Sequence, residues 1–346
     1  MTTLSTLVDE FALRLWMQTN VRGEDAPVTI QRIGEGHSNL TFLVKRGTDE
    51  FVLRRPPLPP YLPTAHDVIR EWRVINGLKN SRVPVPEPIA ACEDNNVIGA
   101  PFYMMRRVEG YVIRGELPSE FDNDKSRLEI SRELVRAMAE LHSVDYHKVG
   151  LANLGKPEGY IARQLKRWNG QLEGAYTRDL PDLIWVSEWL KEHLPDSPPS
   201  TLVHGDYRLD NVIIGKGQPA SIIAILDWEL ATLGDPLADV GYLLSFWSNP
   251  GDPPIPFNLE MGQISVQPGF MNRHQAVEYY AELTSTKVGN LNFYVALAIW
   301  KLAIVLEGSY KRHKLGITDD PFFATLDEGV PALAKRARGV CEGAPI

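Results

Sequence analysis

The chain has 346 residues, of which 44% are hydrophobic and 23% charged, a composition typical of globular proteins. At roughly 150 residues per domain, this length predicts about two domains or one large bilobal fold. With 36 basic against 44 acidic residues the formal net charge is −8, which argues against general binding of nucleic acid or of an anionic membrane surface.

The two cysteines, Cys92 and Cys341, lie far apart, which argues against a disulfide framework or a zinc site and favours a reducing compartment. The first 18 residues contain Asp9 and Glu10 and no uninterrupted apolar core, so we predict no signal peptide. The apolar stretch 290–306 is interrupted by a lysine and is expected to fall short of a membrane span. We therefore expect a cytoplasmic protein, whereas the sequence gives no indication of its oligomeric state.

The first hundred residues predict a small β-rich unit. A short amphipathic helix over 4–16 precedes a hairpin, because the β-like runs VTIQRI and LTFLV flank the glycine-containing turn GEGHSN. A third strand, FVLRR, ends at two prolines, and a helix follows over about 68–80. After the extended connector VPVPEP comes the strand PFYMMRRV, and Gly110 is a plausible hinge. The order up to about residue 107 is three strands, a helix and two strands.

Beyond the hinge the pattern is mainly helical. Short β-like runs occur only within 202–227, and 248–257 is a proline-rich surface loop. The predicted helices cover 131–141 and segments near 160–170, 181–194, 235–247, 274–284, 290–309 and 321–337.

The densest group of polar residues is LVHGDYRLDNVII at 202–214, followed by AILDWE at 224–229. It places two carboxylates, Asp206 and Asp227, and the amide of Asn211 at the ends of short strands. This combination suits phosphoryl transfer, in which one carboxylate accepts the proton of an attacking hydroxyl. The other carboxylate and the amide oxygen are hard ligands of the kind that Mg²⁺ prefers.

The pattern H-G-D-x-x-x-x-N, then I-L-D-W-E and G-D-P-x-x-D, resembles the aminoglycoside phosphotransferase family, relatives of the protein kinases, over about residues 28–310. VLRRPP, REWRVINGL and LVHGDYRLDN are most similar to the branch associated with acyl-CoA dehydrogenases. The resemblance implies an α+β, protein-kinase-like bilobal fold. Its small antiparallel β lobe with one main helix would span 1–107 and its mainly helical lobe 108–346, with the active site in the cleft. The alternative is an incidental polar turn between core strands.

By this resemblance Asp206 is the catalytic base, and Asn211 and Asp227 are the magnesium ligands. Arg208 lies two residues after Asp206 and would reach the γ-phosphoryl group, unless it only pairs with a neighbouring carboxylate such as Asp210.

Four further residues of these motifs are not assigned a direct part in the chemistry. Trp228 and Glu229 replace the Phe-Gly of the kinase D-F-G motif, so switching of the D-F-G kind is not implied. His204 is expected to order the catalytic loop, and Asp239 to tie that loop to a helix.

The nucleotide would be held by the small lobe. Arg54 occupies the position of the kinase phosphate-binding lysine, with Glu71 as its partner unless Glu71 lies on a solvated helix face. Met104 and Met105 would line the adenine pocket, although methionine is equally a core residue. The hairpin turn would offer backbone N–H groups to the phosphates, unless it is an ordinary turn, through Gly34, Gly36, Ser38 and Asn39.

The sequence therefore predicts an ATP-dependent (GTP possible), Mg²⁺-dependent phosphotransferase acting on the hydroxyl of a small molecule. Its late helix carries four cations, Lys301, Lys311, Arg312 and Lys314. If that helix lines the site, they favour a neutral or anionic acceptor such as a hydroxy acid or hydroxyacyl thioester. Trp300, Tyr310 and Arg312 of that helix either touch substrate or belong to the core. The alternatives are an aminoglycoside O-phosphotransferase, a nucleotide-binding pseudokinase that regulates a partner, and a Ser/Thr protein kinase.

Overall fold

A computed structural model describes residues 7–34, 39–58, 66–252, 260–317, 321–344 and 346. The strands in this part of the chain are β1 (Val28–Ile33), β2 (Leu40–Arg46), β3 (Asp49–Arg55), β4 (Pro88–Cys92), β5 (Phe102–Arg106), β6 (Thr201–Val203), β7 (Val212–Ile214), β8 (Ile222–Ile225) and β9 (Thr232–Gly234). The helices are α1 (Glu10–Asn20), α2 (Val68–Leu78), α3 (Asn95–Ile98), α4 (Asp124–His142), α5 (Tyr160–Ala175), α6 (Pro181–Glu192), α7 (Leu237–Ser245), α8 (Glu260–Ser265), α9 (Arg273–Thr284), α10 (Leu291–Lys314) and α11 (Leu326–Cys341).

The first part of the chain forms an antiparallel sheet whose described strands run in the order β1-β2-β3-β5-β4. β1 and β2 form the predicted hairpin, with Val28 opposite Arg46 and Ile33 opposite Thr41. Because side chains alternate across a strand, the sheet has two faces. One face packs on α1, and the other packs on α2 and joins the main core of the protein.

The second part is mainly helical, with two short antiparallel pairs, β6 with β9 and β7 with β8. The α+β bilobal fold is therefore as predicted. Most predicted elements recur with shifted ends, whereas α3, α8 and β9 were not predicted. The sheet strands end at Arg106, and a division into lobes at 107/108 stays a prediction.

Helix α10 runs through the centre of the helical part, against α5, α6, α7 and α11. By length and hydropathy it is the one helix among the described residues that would suffice to cross a membrane, contrary to the expectation of a shorter stretch. Most of its apolar window is nevertheless buried within the protein, the behaviour of a core helix. Trp300, fully buried at its middle, donates its indole N–H to the Leu183 carbonyl at 3.0 Å, so it belongs to the core.

Glu307 on α10 has a fully buried carboxylate that holds three elements together. Its Oε1 accepts from the Thr177 N–H at 3.2 Å and from the Thr177 hydroxyl at 2.6 Å, and its Oε2 lies 3.2 Å from Arg178 Nη2. Arg178 also donates to the Leu326 carbonyl at 2.8 Å, where α11 begins. The α5–α6 connection, α10 and α11 are thereby joined at one buried charge.

Replacing Glu307 by Ala should therefore lower the free energy of unfolding by about 1–3 kcal/mol, because it removes the acceptor of the Thr177 hydroxyl and N–H and one of the two carboxylates that contact Arg178, the other being Asp327. Urea unfolding followed by circular dichroism measures this loss. Glu282→Ala, at an exposed position on α9, is the matched control and should change stability by less than about 0.5 kcal/mol. Equal unfolding midpoints for the two variants would contradict the role of Glu307.

Candidate functional site

The loop that carries Asp206 connects β6 to β7, and a buried carboxylate binds its backbone. Asp239 on α7 accepts from the His204 N–H at 2.6 Å and from the Gly205 N–H at 2.8 Å, which confirms that it ties the loop to a helix. Gly205 has φ +85°, and a Cβ there would lie 2.9 Å from the Leu230 carbonyl oxygen, so the position requires glycine.

Asp239 is itself held by two residues that the sequence analysis did not identify. His142 on α4 contacts it through Nε2 at 3.2 Å, and His142 Nδ1 lies 2.7 Å from the Tyr280 hydroxyl. Burial alone would raise the pKa of Asp239, but the contact with His142, followed by His204, outweighs burial and lowers it. No spacing in the sequence links α4, α7 and α9, so only the fold brings these residues together.

His204 has the predicted ordering role. Its Nδ1 accepts from the Asp206 N–H at 3.2 Å, and its Nε2 donates to the Leu226 carbonyl at 2.8 Å. Both ring nitrogens are thus engaged with the backbone, and the ring packs 4.8 Å from that of the buried Trp228. A histidine held in this way shapes the loop and has no nitrogen left to act as a base.

The Asn211 side chain fixes the geometry of Asp206. Its Nδ2 donates to the Asp206 carbonyl and to Asp206 Oδ2, both at 2.8 Å. The amide orientation is therefore set, and Oδ1 accepts no hydrogen bond from the described residues. The Leu226 N–H donates to the Asn211 carbonyl at 2.8 Å, which joins this loop to the segment ending in Asp227. The structure thus brings the three predicted polar residues together.

Two further side chains contact the Asp206 carboxylate. Arg208 Nε lies 3.4 Å from Asp206 Oδ1 and 3.2 Å from Asp210 Oδ1, so the pairing with Asp210 is present. Burial would lower the pKa of Arg208, but Asp206 and Asp210 outweigh it and raise it. Tyr242 on α7 was not predicted, and its hydroxyl donates to Asp206; burial and then this carboxylate raise the pKa of Tyr242.

Arg54 on β3 bridges two carboxylates from different parts of the chain. Its Nη1 lies 2.8 Å from Glu71 Oε1 on α2, and its Nη2 lies 3.1 Å from Asp227 Oδ1. Glu71 is fully buried and does not lie on a solvated helix face. Burial raises the pKa of Glu71 to about 7 against the lowering effect of Arg54, with the Tyr103 hydroxyl also in contact. Tyr103 is the cross-strand neighbour of Arg54, so the strand register places it there.

Asp227 has a left-handed backbone, with φ +63° and ψ +60°, which is rare for a residue with a side chain. This conformation turns its carboxylate toward Arg54 and leaves about a third of the side chain accessible. No cluster of three or more His, Cys, Asp or Glu side chains suited to a metal occurs among the described residues. The amide of Asn211 and the carboxylate of Asp227 nevertheless suit Mg²⁺, which usually takes one or two protein ligands and completes its shell with phosphate oxygens and water.

The hairpin turn is described only at its ends, because Gly36 and Ser38 lie outside the described residues. Gly34 has φ +78°, and Asn39 is buried where β2 begins. Asn39 Nδ2 donates to Glu229 Oε2 at 3.5 Å, which links the hairpin to the segment after Asp227. Asn39 Oδ1 is buried and has no hydrogen-bond partner within the described part of the chain, as expected where a donor from a ligand is missing.

The two methionines of β5 point to opposite faces of the sheet. Met105 shares the face of Tyr103 and Arg54, whereas Met104 packs in the cluster beneath α1. The structure therefore groups Met105 with the other predicted site residues and excludes Met104. The physical reason is the two-residue period of a strand, which prevents neighbouring side chains from lining one pocket.

A cavity of about 540 Å³ opens beside the catalytic loop. Of the four cations on the late helix, Lys301 is the one that lines this cavity, and whether any of them faces an acceptor stays a prediction. Lys311 donates to the Gly174 carbonyl at 2.6 Å, and Tyr310 donates to Asp327 at 2.5 Å, both outside the cavity. The lining residues are His66, Asp67, Arg70, Tyr160, Gln164, Arg167, Trp168, Gln171, Gly205, Glu229, Leu230, Thr232 and Lys301.

Comparison with known proteins agrees with this geometry. The sequence model of the phosphotransferase enzyme family known as APH matches residues 29–260. Acyl-CoA dehydrogenase family member 11 of Gallus gallus is 36% identical over 301 residues, covering 84% of this chain and 37% of that protein. Acyl-CoA dehydrogenase family member 10 of Mus musculus is 35% identical over 292 residues, covering 84% of this chain and 27% of that protein. The chain thus spans about two fifths or less of the length of these relatives.

A crystal structure from Ralstonia eutropha, provisionally described as an aminoglycoside phosphotransferase, is 31% identical. It superposes with a TM-score of 0.81 over 98% of this chain and 99% of its own. The matching family model, the kinase-like fold and the polar residues grouped at its cleft lead to one conclusion. This chain belongs to the APH phosphotransferase enzyme family and is a small-molecule kinase.

Proposed function

We propose that the protein transfers the γ-phosphoryl group of ATP, in the presence of Mg²⁺, to the hydroxyl of a small hydroxy acid or hydroxyacyl thioester. GTP is the alternative donor. The observation that carries this proposal is the convergence of Asp206, Asn211 and Asp227 on one cleft, with Arg54 held beside them. In this arrangement catalysis consists mainly of positioning and charge stabilisation.

Asn211 and Asp227 would hold Mg²⁺ through the amide oxygen and the carboxylate. The ion would supply positive charge to offset the charge that develops on the phosphate oxygens. Arg54 lies between Glu71 and Asp227, so its guanidinium is fixed at the edge of this site and offers its donors to phosphate. The unpartnered Asn39 oxygen and the N–H groups of the hairpin ends would complete the nucleotide contacts.

Asp206 would orient the acceptor hydroxyl and accept its proton. Asn211 and Tyr242 hold the carboxylate in place by donating to it, so few orientations remain open to it. Arg208 pairs with the same carboxylate and adds positive charge next to the transferred group. A pseudokinase has no use for this whole set, which argues against a purely regulatory function.

The acceptor class is proposed from charge and from the relatives. The cavity beside Gly205 carries Arg70, Arg167 and Lys301, which repel a polycationic aminoglycoside and attract an acid. The curated relatives are named as acyl-CoA dehydrogenases, enzymes of acyl thioesters, which favours an acyl compound. The description of the Ralstonia eutropha protein makes aminoglycoside phosphorylation the second candidate.

Replacing Asp206 by Asn keeps the shape of the side chain and removes its capacity to accept a proton. We expect kcat to fall by about 10²- to 10⁴-fold, the usual range for loss of a general base, with little change in nucleotide affinity. Steady-state kinetics with the acceptor found below provides the measurement. A variant that retains the wild-type rate would rule out Asp206 as the base.

Calorimetric titration with ATP and with GTP, with and without Mg²⁺, tests the nucleotide site. Binding should depend on Mg²⁺ and should weaken at least about tenfold in Asp227→Ala, because a metal ligand is lost. A turnover panel of hydroxy acids, hydroxyacyl-CoA thioesters and kanamycin then tests the acceptor. Efficient phosphorylation of kanamycin alone would replace the proposed acceptor class, and absence of nucleotide binding would overturn the function.

Three variants separate the structural role of Arg54 from its role toward phosphate. Arg54→Met should cost roughly 3–5 kcal/mol of stability, because it leaves the buried Glu71 without its positively charged partner. Arg54→Met combined with Glu71→Leu should recover most of that stability, since an apolar pair replaces a buried ion pair. Arg54→Lys keeps the charge but has one ammonium in place of a two-ended guanidinium.

In all three variants we expect the affinity for MgATP to be about tenfold or more below that of the wild type. This loss should persist in the double variant even though its stability recovers. Thermal unfolding and calorimetry on the same preparations give both quantities. If the double variant regained both stability and wild-type affinity, Arg54 would have no direct contact with the nucleotide.

A further inference from the structure

The cavity beside the catalytic loop brings together three cations that come from three different helices. Arg70 from α2, Arg167 from α5 and Lys301 from α10 all line it, and none of them forms an ion pair with a carboxylate in the described part of the chain. Arg70 donates only to backbone carbonyls, those of Leu154 at 3.1 Å and Glu229 at 3.4 Å. The chain has a net charge of −8 and thus enough acidic residues to pair with all three cations. That none of these pairs forms among the described residues indicates that the cations serve another purpose.

The acidic side chains on the cavity wall are engaged elsewhere. Asp67 caps α2 by accepting from the Arg70 N–H at 2.9 Å, and Glu229 accepts from Asn39. Counting three cations and two carboxylates, the wall has a formal charge of +1 before His66 is considered. The positive potential is therefore not cancelled within the cavity.

Two of these cations lie next to aromatic rings. The Lys301 ammonium lies 5.4 Å from the Trp168 ring centroid and 5.9 Å from that of Tyr242, and Arg167 lies 5.6 Å from Trp168. Tyr242 also donates to Asp206, so Lys301 is connected to the proposed base through one ring. Gly205, the residue before Asp206, forms part of the same wall.

We propose that Lys301, Arg167 and Arg70 bind an anionic group of the acceptor, a carboxylate or a phosphate, and thereby direct its hydroxyl toward Asp206. This inference rests on the proposed function, because it assigns the acceptor end of the same cleft. The three residues are specificity-determining: they contact the part of the acceptor that does not react. An uncharged alcohol lacks this anchor, and a polycation is repelled.

The charge state of Lys301 gives the site a pH signature. Burial is the main cause that lowers the pKa of Lys301 to about 8, and the nearby charge of Arg167 lowers this pKa as well. The carboxylates of Asp239 and Asp206 act in the opposite direction. Besides these groups, the elements around it contribute Tyr242 and Trp168, whose ring faces receive the ammonium. Lys301 is charged below about pH 8 and loses its charge above it, so anion affinity should fall as the pH rises through about 8.

The test measures anion binding directly, with the nucleotide site saturated by MgADP so that the phosphate probe cannot occupy the α- and β-phosphate positions. Three probes, namely butyrate, inorganic phosphate and coenzyme A, are titrated by thermal shift and calorimetry against the wild type, Lys301→Met and Arg167→Met. Lys311→Met is the matched control, because this lysine lies on the same helix outside the cavity. Arg167 is exposed, so its variant is expected to fold even where Lys301→Met does not.

We expect Lys301→Met and Arg167→Met each to weaken binding of at least one probe about 10- to 100-fold, with the control unchanged. If butyrate affinity is lost in these variants, the site binds the carboxylate of a free hydroxy acid. If coenzyme A and phosphate affinity is lost, the site binds the phosphates of the coenzyme A part of a hydroxyacyl thioester. In Lys301→Arg the fall of affinity above about pH 8 should disappear, since guanidinium stays charged.

Failure of this inference is distinguishable from failure of the proposed function. If MgADP binds but no probe binds the wild type, or if both methionine variants bind every probe as the wild type does, the anion site is refuted. If MgADP itself does not bind, the kinase assignment of the cleft is at fault. Binding of the probes therefore tests the anion site, and binding of MgADP tests the proposed function.

Discussion

The arrangement of the site depends on a single guanidinium. Arg54 contacts Glu71 with one end and Asp227 with the other, so one side chain joins β3, α2 and the segment after β8. The segment after β8 lies about 150 residues or more from β3 and α2 in the sequence, and the relative positions of these elements decide whether the phosphate side and the catalytic loop face each other. A lysine in this place would have to reach both carboxylates with a single ammonium nitrogen, whereas the planar guanidinium presents a separate nitrogen to each. Arginine in place of the kinase lysine is therefore compatible with this bridge.

A buried series of polar contacts fixes the position of the catalytic loop. Tyr280, His142 and Asp239 form a connected series that ends on the N–H groups of His204 and Gly205. Because every member is hydrogen-bonded, burying these groups costs little and makes the loop conformation specific. The loop then presents Asp206 with its carboxylate already fixed by Asn211, so positioning precedes any encounter with a substrate.

The motifs predicted the chemistry better than they predicted its surroundings. H-G-D-x-x-x-x-N and I-L-D-W-E have fixed spacings within one loop and one strand end, so local geometry is enough to bring their residues together. Residues that depend on register or helix packing were not predictable: Tyr103 follows from the β3–β5 pairing, and His142 from the packing of α4 on α7. Met104 was misplaced because a dipeptide on a strand was treated as if both side chains faced one way.

The late helix also shows that the sequence alone does not predict which side chains meet in space, and it shows the physical reason. Its four cations looked like one basic group in the sequence, but a helix turns about 100° per residue and rises about 1.5 Å. Lys311 and Lys314 consequently point away from the face of Lys301, and Arg312, although close to that face, lies about 16 Å further along the axis. Lys301 is left as the single cation of α10 at the cavity, where Arg167 and Arg70 from two other helices meet it. A local charge opposite in sign to that of the whole chain is thus assembled by packing, and it arises where the proposed acceptor must approach Asp206.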